Sequence, residues 1–134
     1  MSERTVVRVA DVMDADHTVI EGGATVQEAI GRLRERNATF LVVAKRSEDD
    51  EYGILMVAEI AKQVLARNRS PERTNVYEIM SKPVLSVPSR MDIRYCARLF
   101  DRFGVSTAPV IDDGEIQGVV TYDQLVLRGL AGSG

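Results

Sequence analysis

Val9-Ala10-Asp11-Val12-Met13 and Val76-Tyr77-Glu78-Ile79-Met80 are one passage written twice, at a shift of 80 − 13 = 67 positions. The shift persists through two helical patterns, in which Val26, Ala29, Ile30 and Leu33 answer to Ile93, Cys96, Ala97 and Phe100. Further on, Gly53-Ile54-Leu55 answers to Gly118-Val119-Val120 at 118 − 53 = 65, so the first copy carries two more loop residues. A repeat on this scale outweighs any local motif, because each unit is expected to bury its apolar face against its twin. Two like units packed together leave a cleft, and clefts are where ligands sit.

Each copy follows the same order of elements. A short apolar stretch (Val19-Ile20; Val84 to Val87) precedes an amphipathic helix. Thr25 and Glu28 form a capping box at the start of the first helix, and Asp92 stands where Thr25 stands and can cap the second. The β-type runs Thr39 to Ala44 and Thr107 to Ile111 come next. Asp113-Gly114 between Ile111 and Ile116 signals a tight hairpin. The matching turn of the first copy, Lys45 to Glu51, is longer and charged, and is expected to be exposed and mobile. Second strands follow at Tyr52 to Met56 and Ile116 to Thr121, each leading into a helix, with Val57, Ile60, Ala61 and Val64 at helical spacing. The polar stretch Asn68 to Arg73, with its proline, joins the copies. The expectation is an α/β fold of two β-α-β-β-α repeats, 1–67 and 76–134, with 68–75 as connector, packed with approximate twofold symmetry.

Composition narrows the function classes. A chain of 134 residues and 14.8 kDa is the size of one compact domain. Its apolar share of 45% and charged share of 28% are ordinary for a soluble globular protein. The formal charge of −3 offers no global field for nucleic acid. No apolar run approaches the roughly 20 residues that span a bilayer, and Met1 to Arg4 opens no secretory signal. A single cysteine, Cys96, excludes an internal disulfide and falls in the apolar register of a helix, as a packing residue. A cytoplasmic location is the expectation. Catalysis finds no support: there is no phosphate-cradling glycine loop, nucleophile elbow or cysteine pair. His17 is the only histidine and reads as a solvated turn residue; with Asp11, Asp14 and Asp16 it completes no metal set of known spacing.

The segments Val76 to Met80, Gly104-Val-Ser-Thr-Ala-Pro109-Val-Ile-Asp112 and Gly118-Val-Val-Thr121-Tyr-Asp-Gln-Leu125, in this order and duplicated, resemble the cystathionine-β-synthase (CBS) domain pair over nearly the whole chain. The resemblance implies a compact disc-like pair without catalytic activity or required cofactor, prone to dimerise. It also implies clefts that bind adenosine-type ligands such as AMP, ADP, ATP or S-adenosylmethionine, and a stand-alone sensor that regulates an unknown effector protein. In the family pattern a Thr or Ser stands at the strand-to-helix step with an Asp three residues on. Here Thr121 is present, but Gln124 holds the Asp position and Asp123 lies one residue early. One residue is about 100° around a helix. The first copy has Met56 for the hydroxyl and Glu59 for the Asp. A carboxylate suits a ribose diol, since it accepts from both hydroxyls.

The other contacts that the resemblance implies are Val84, Val105, Ser106, Thr107, Ala108 and Pro109 in the second copy, and Thr18, Ala38, Thr39, Phe40 and Leu41 in the first. For the apolar ones core packing is the competing reading; for Ser106 and Thr107 it is local bonding to backbone. Arg90, Arg94, Arg98 and Arg102 recur every four residues as a solvated face, with Arg102 the candidate phosphate cation. Tyr95, Leu99 and Phe103 form a second apolar stripe on the helix that starts after Asp92, where the first copy has Glu28, Arg32 and Arg36. A helix apolar on most of its circumference is buried on more than one side, so these three are expected to pair two copies in a homodimer. The alternative to a ligand sensor is a ligand-independent interaction module whose clefts have decayed.

Overall fold

A computed structural model of the chain describes residues 5–130. In chain order the elements are α1 (Val9–Val12), β1 (Val19–Ile20), α2 (Val26–Arg36), β2 (Phe40–Val43), β3 (Gly53–Met56), α3 (Val57–Ile60), α4 (Val76–Ile79), α5 (Ile93–Phe103), β4 (Thr107–Asp112), β5 (Glu115–Thr121) and α6 (Tyr122–Gln124). Two of the short helices run on as wider π-helical turns, α3 through Ala61–Leu65 and α6 through Leu125–Leu130. The first is marked by the bond from Ala66 N to Ala61 O at 2.8 Å. Among the described residues no helix is long and apolar enough to cross a membrane.

The N-cap signals of the sequence act as read, while the return bond from the Glu28 side chain that would complete the Thr25 capping box is not formed. Thr25 Oγ1 accepts from Glu28 N at 3.1 Å, and Asp92 Oδ1 from Arg94 N at 2.8 Å, so both long helices start on a side-chain cap. They end on left-handed residues, Asn37 (φ 50°) and Gly104 (φ 67°), which turn the chain out of the helix. Asp113 and Gly114 both take positive φ, 51° and 80°, and close the β4–β5 hairpin tightly.

The chain packs as two compact units. One is contiguous, His17–Pro83; the other is split, made of the described residues up to Asp16 together with those from Val84 on. Packing is thus out of phase with the repeat boundaries expected at 67 and 76. The turns α1 and α4 are responsible. Each is four residues long, too short to persist without tertiary contacts. Val9 N donates to Met91 O and Ala10 N to Ser89 O, both at 2.8 Å. At the equivalent places, Val76 N donates to Ala24 O at 2.9 Å and Tyr77 N to Gly22 O at 3.0 Å. Their apolar side chains follow: Val9 and Val12 pack with Val87, Cys96, Phe100, Ala108, Val110, Val120 and Leu125. Val76 and Ile79 pack with Ile20, Val26, Ala29, Leu33, Leu41, Val43, Leu55 and Val64.

In the contiguous unit β1 lies parallel to β2, and β2 antiparallel to β3. In the split unit β4 and β5 pair antiparallel, and the equivalent of β1 shrinks to a single parallel bridge from Val87 to Val110. The strand expected over Val84 to Val87 is therefore absent. Beyond each pair of strands the second residue after a short helix adds one more bridge, Asp14 to Val119 and Ser81 to Ile54. Gly118 and Gly53 make room for that crossing: a Cβ on Gly118 would stand 2.7 Å from the Asp14 carbonyl oxygen, and one on Gly53 2.9 Å from Met80 Sδ. The charged turn after β2 is exposed over residues 46–49. It is nevertheless anchored, because Asp50 accepts from Arg46 N at 2.9 Å and from Lys82 Nζ at 3.0 Å. These donors hold the Asp50 carboxyl at about 2.

Candidate functional site

Each unit has a strand-to-helix step, β3 to α3 and β5 to α6, where a sheet end meets the start of a short helix. In the contiguous unit the start of β2 and the end of β3 meet there, with Phe40 opposite Met56. Val57 N donates to Thr39 O at 2.9 Å, and Thr18 O accepts from Val42 N at 3.0 Å. Thr18, Thr39, Phe40, Met56 and the first turn of α3 thus gather at one sheet end. Met56 is the N-cap of α3 and has no side chain able to accept from the helix. Glu59, half-buried in the first turn, makes no hydrogen bond or ion pair among the described residues. Leu41 is fully buried in the core, and Ala38 packs against it, so neither presents a free wall.

In the split unit Thr107 pairs with Thr121, and Tyr122 N donates to Ser106 O at 3.2 Å. Thr121 and Gln124 satisfy each other. Thr121 Oγ1 accepts from Gln124 N at 3.4 Å, and Gln124 Oε1 accepts from Thr121 N at 3.1 Å. This is a capping box, T-x-x-Q, written in the same grammar as Thr25 to Glu28. The sequence carried that signal, and reading Gln124 as a replaced ligand carboxylate passed over it. Asp123 is exposed beside the box.

The remaining expected contacts divide by burial. Ala108 is a core residue, and Pro109 is buried with its carbonyl accepting from Val87 N at 3.1 Å. Ala108 faces the core, and Pro109, its neighbour on the strand, points to the opposite face and is covered there as well. Val105 packs partly against the same core, Ser106 is exposed and Thr107 half-buried. Val84 is 69% exposed, and Arg102 is exposed on the last turn of α5.

The α5 stripe is also divided. Tyr95 (62%) and Phe103 (47%) are exposed, with the Arg98 guanidinium 5.4 Å over the Tyr95 ring. Leu99 instead packs against the unit's own core. Val126 and Leu127, on the π-helical continuation of α6, are exposed apolar residues that the sequence reading did not single out.

One polar feature remains in the split unit. A hollow of about 400 Å³ is lined by Pro88, Ser89, Arg90, Ile111, Asp112 and Asp113, near the β4–β5 turn. Within it Asp112 accepts from Ser89 N at 3.0 Å and from Ser89 Oγ at 2.5 Å, bonds that hold its carboxyl below the usual range. Burial pushes the Cys96 thiol up to about 11, which leaves it protonated and unreactive. His17 is half-buried, not solvated, and its Nδ1 is buried without a hydrogen-bond partner. Among the described residues no three His, Cys, Asp or Glu side chains gather as a metal-binding set.

Comparison with known proteins fits this geometry. The family model for the CBS domain matches residues 9–66 and 76–129. The hexameric CBS-CP12 protein from bloom-forming cyanobacteria is similar in structure, with a TM-score of 0.87 at 31% identity over 93% of this chain and 69% of that one. A CBS domain pair solved in complex with 5′-methylthioadenosine and S-adenosyl-L-methionine shares the fold, with a TM-score of 0.81 at 23% identity, covering 97% of this chain and 100% of that one. An uncharacterized protein of Methanopyrus kandleri is 25% identical over 121 residues, 90% of this chain. The chain spans 61% of that relative's length.

Proposed function

This chain belongs to the CBS domain family, and from that premise we propose that it is a regulatory module without catalytic activity of its own. It binds an adenosine-type ligand at a strand-to-helix step and passes the change to an effector protein. The observation that carries this reading is the Glu59 carboxylate, half-buried at a sheet end and without a partner among the described residues. Such a group is suited to two hydroxyls of a ribose, because hydrogen bonds to an ionised acceptor are the strong ones. The solved pair that holds 5′-methylthioadenosine and S-adenosyl-L-methionine lends support at the level of the fold. Binding transmits a signal only insofar as the ligand prefers one conformation over another. The module works as a homodimer through the exposed aromatic residues of α5, Tyr95 and Phe103. The cyanobacterial relative, which is hexameric, favours self-association.

Thermal unfolding with AMP, ADP, ATP and S-adenosylmethionine tests the ligand part. A compound held at 100 times its Kd stabilises the folded state by about 2.7 kcal/mol and raises Tm by several degrees. At least one of the four is expected to do so. No shift from any of them at millimolar concentration would leave the second reading, a ligand-independent interaction module, for which the self-satisfied Thr121–Gln124 pair already speaks.

A further inference from the structure

The β4–β5 hairpin has two ends. One meets α6 at the Thr121 step. The other, about 17 Å away at the usual rise of a strand, carries the hollow lined by Pro88, Ser89, Arg90, Ile111, Asp112 and Asp113. We propose that this hollow is a ligand site separate from the strand-to-helix steps, and that it takes a zwitterionic α-amino acid with an apolar side chain.

The polar lining of the hollow is not demanded by the fold. At the shift of the repeat, 89 − 22 = 112 − 45 = 67, Ser89, Arg90, Asp112 and Asp113 correspond to Gly22, Gly23, Lys45 and Arg46. The backbone is closed in the same way at both places. Ala10 N donates to Ser89 O at 2.8 Å as Tyr77 N does to Gly22 O at 3.0 Å, and Ile111 N donates to Val87 O at 3.0 Å as Ala44 N does to Ile20 O at 2.9 Å. The contiguous unit therefore makes this junction with two glycines and no carboxylate. Only the split unit sets a hydroxyl, a guanidinium and two carboxylates around it.

Those groups are arranged by sign. Ser89 Oγ and Ser89 N each donate to one oxygen of Asp112, which fixes the carboxylate and keeps it ionised. Each oxygen retains a second lone pair. The Arg90 guanidinium is near enough to favour that charge, yet among the described residues it makes no hydrogen bond or ion pair. The exposed Asp113 carboxylate is likewise unpaired among the described residues. Opposite charges thus line one hollow without closing on each other. A phosphate drawn to Arg90 meets two carboxylates of its own sign. A divalent cation drawn to the carboxylates meets Arg90, and among the described residues no third His, Cys, Asp or Glu joins them. An α-amino acid satisfies both poles: its ammonium donates to Asp112 and Asp113, and its carboxylate accepts from the planar fork of Arg90. Pro88 and Ile111 offer its side chain an apolar wall. The volume of about 400 Å³ is adequate for so small a ligand.

The test is a titration of the nitrogen-labelled full chain with L-valine and with L-methionine, followed by NMR at the backbone amides of Ser89, Arg90, Asp112 and Asp113. At least one of the two is expected to shift these amides and to saturate in the millimolar range, as suits a ligand with few atoms to bury. Valinamide, which lacks the carboxylate, and 3-methylbutanoate, which lacks the ammonium, are each expected to bind about tenfold more weakly than valine, through loss of bonds to a charged group. Arg90→Gln and Asp113→Asn are expected to weaken the amino acid by a similar factor. Both side chains are exposed, so the variants should unfold at nearly the wild-type Tm. No saturable shift from either amino acid would overturn the proposal, as would shifts confined to the strand-to-helix steps. Equal binding of valine and its two analogues, affinity unchanged in both variants, or tighter binding of calcium or inorganic phosphate at these amides would overturn it too. Nucleoside binding elsewhere in the chain is untouched by any of these results.

Discussion

Gly118 is placed where a side chain would run into fixed backbone, because its missing Cβ faces the Asp14 carbonyl oxygen at 2.7 Å. That oxygen belongs to backbone tied into a bridge with Val119, where Asp14 N donates to Val119 O at 2.9 Å and Val119 N to Asp14 O at 3.0 Å. It cannot swing aside. At Gly53 the nearest atom is instead Met80 Sδ, the far part of a flexible side chain. Gly118→Ala is therefore expected to cost about 1–3 kcal/mol, as overpacking does, and Gly53→Ala less. Urea denaturation of the two variants checks this, and equal losses would refute the distinction. Both glycines were visible in the sequence as markers of the repeat. Their reason was not, since the atoms they make room for lie in segments far off along the chain. Gln124 makes the same point: its position was legible, but its side chain turns back to its own helix start.

At the scale of elements, α5 differs from its twin α2 in one respect that the sequence announced, the apolar residues where α2 has Glu28, Arg32 and Arg36. Helical periodicity placed Tyr95, Leu99 and Phe103 on one stripe. Packing then divided that stripe, because Leu99 fills space beside Phe100 and Cys96 in the split unit's core while Tyr95 stays 62% exposed. The proposed homodimer is thus expected to respond to these positions differently. Tyr95→Glu should give monomers by light scattering, with the monomer's fold intact by circular dichroism. Leu99→Glu should lower stability by several kcal/mol, because a carboxylate then enters an apolar site. A Tyr95→Glu protein that stays dimeric would remove α5 from the interface.

Over the whole molecule, the repeat in the sequence and the unit in space do not coincide. The first sixteen residues hold α1, whose Val9 and Val12 are 0% and 1% exposed in the core of the split unit. A chain beginning at His17 would keep its contiguous unit complete and leave the other lacking two core valines and the Asp14 bridge. Each valine is worth about 1.5–3 kcal/mol of burial. Such a truncation is expected to unfold the split unit while His17–Pro83 remains protected in hydrogen exchange. Uniform protection of both would contradict this division of the core.

The amino-acid sequence by itself determined the duplication, the α2 and α5 caps, the hairpin at Asp113-Gly114 and the family, since each is written in a few neighbouring residues or in a constant shift. Only the tertiary structure decided that α1 docks on Met91 and α4 on Ala24, that Leu99 and Ala108 turn inward, and that Gln124 spends its oxygen on Thr121. The physical reason is that both repeats carry nearly the same apolar pattern. A pattern specifies which face of a segment is buried, but against a near-copy it leaves open which core receives that face. That choice is made by hydrogen bonds and close contacts across more than fifty residues of chain, such as Val9 to Met91 at 2.8 Å and Val76 to Ala24 at 2.9 Å.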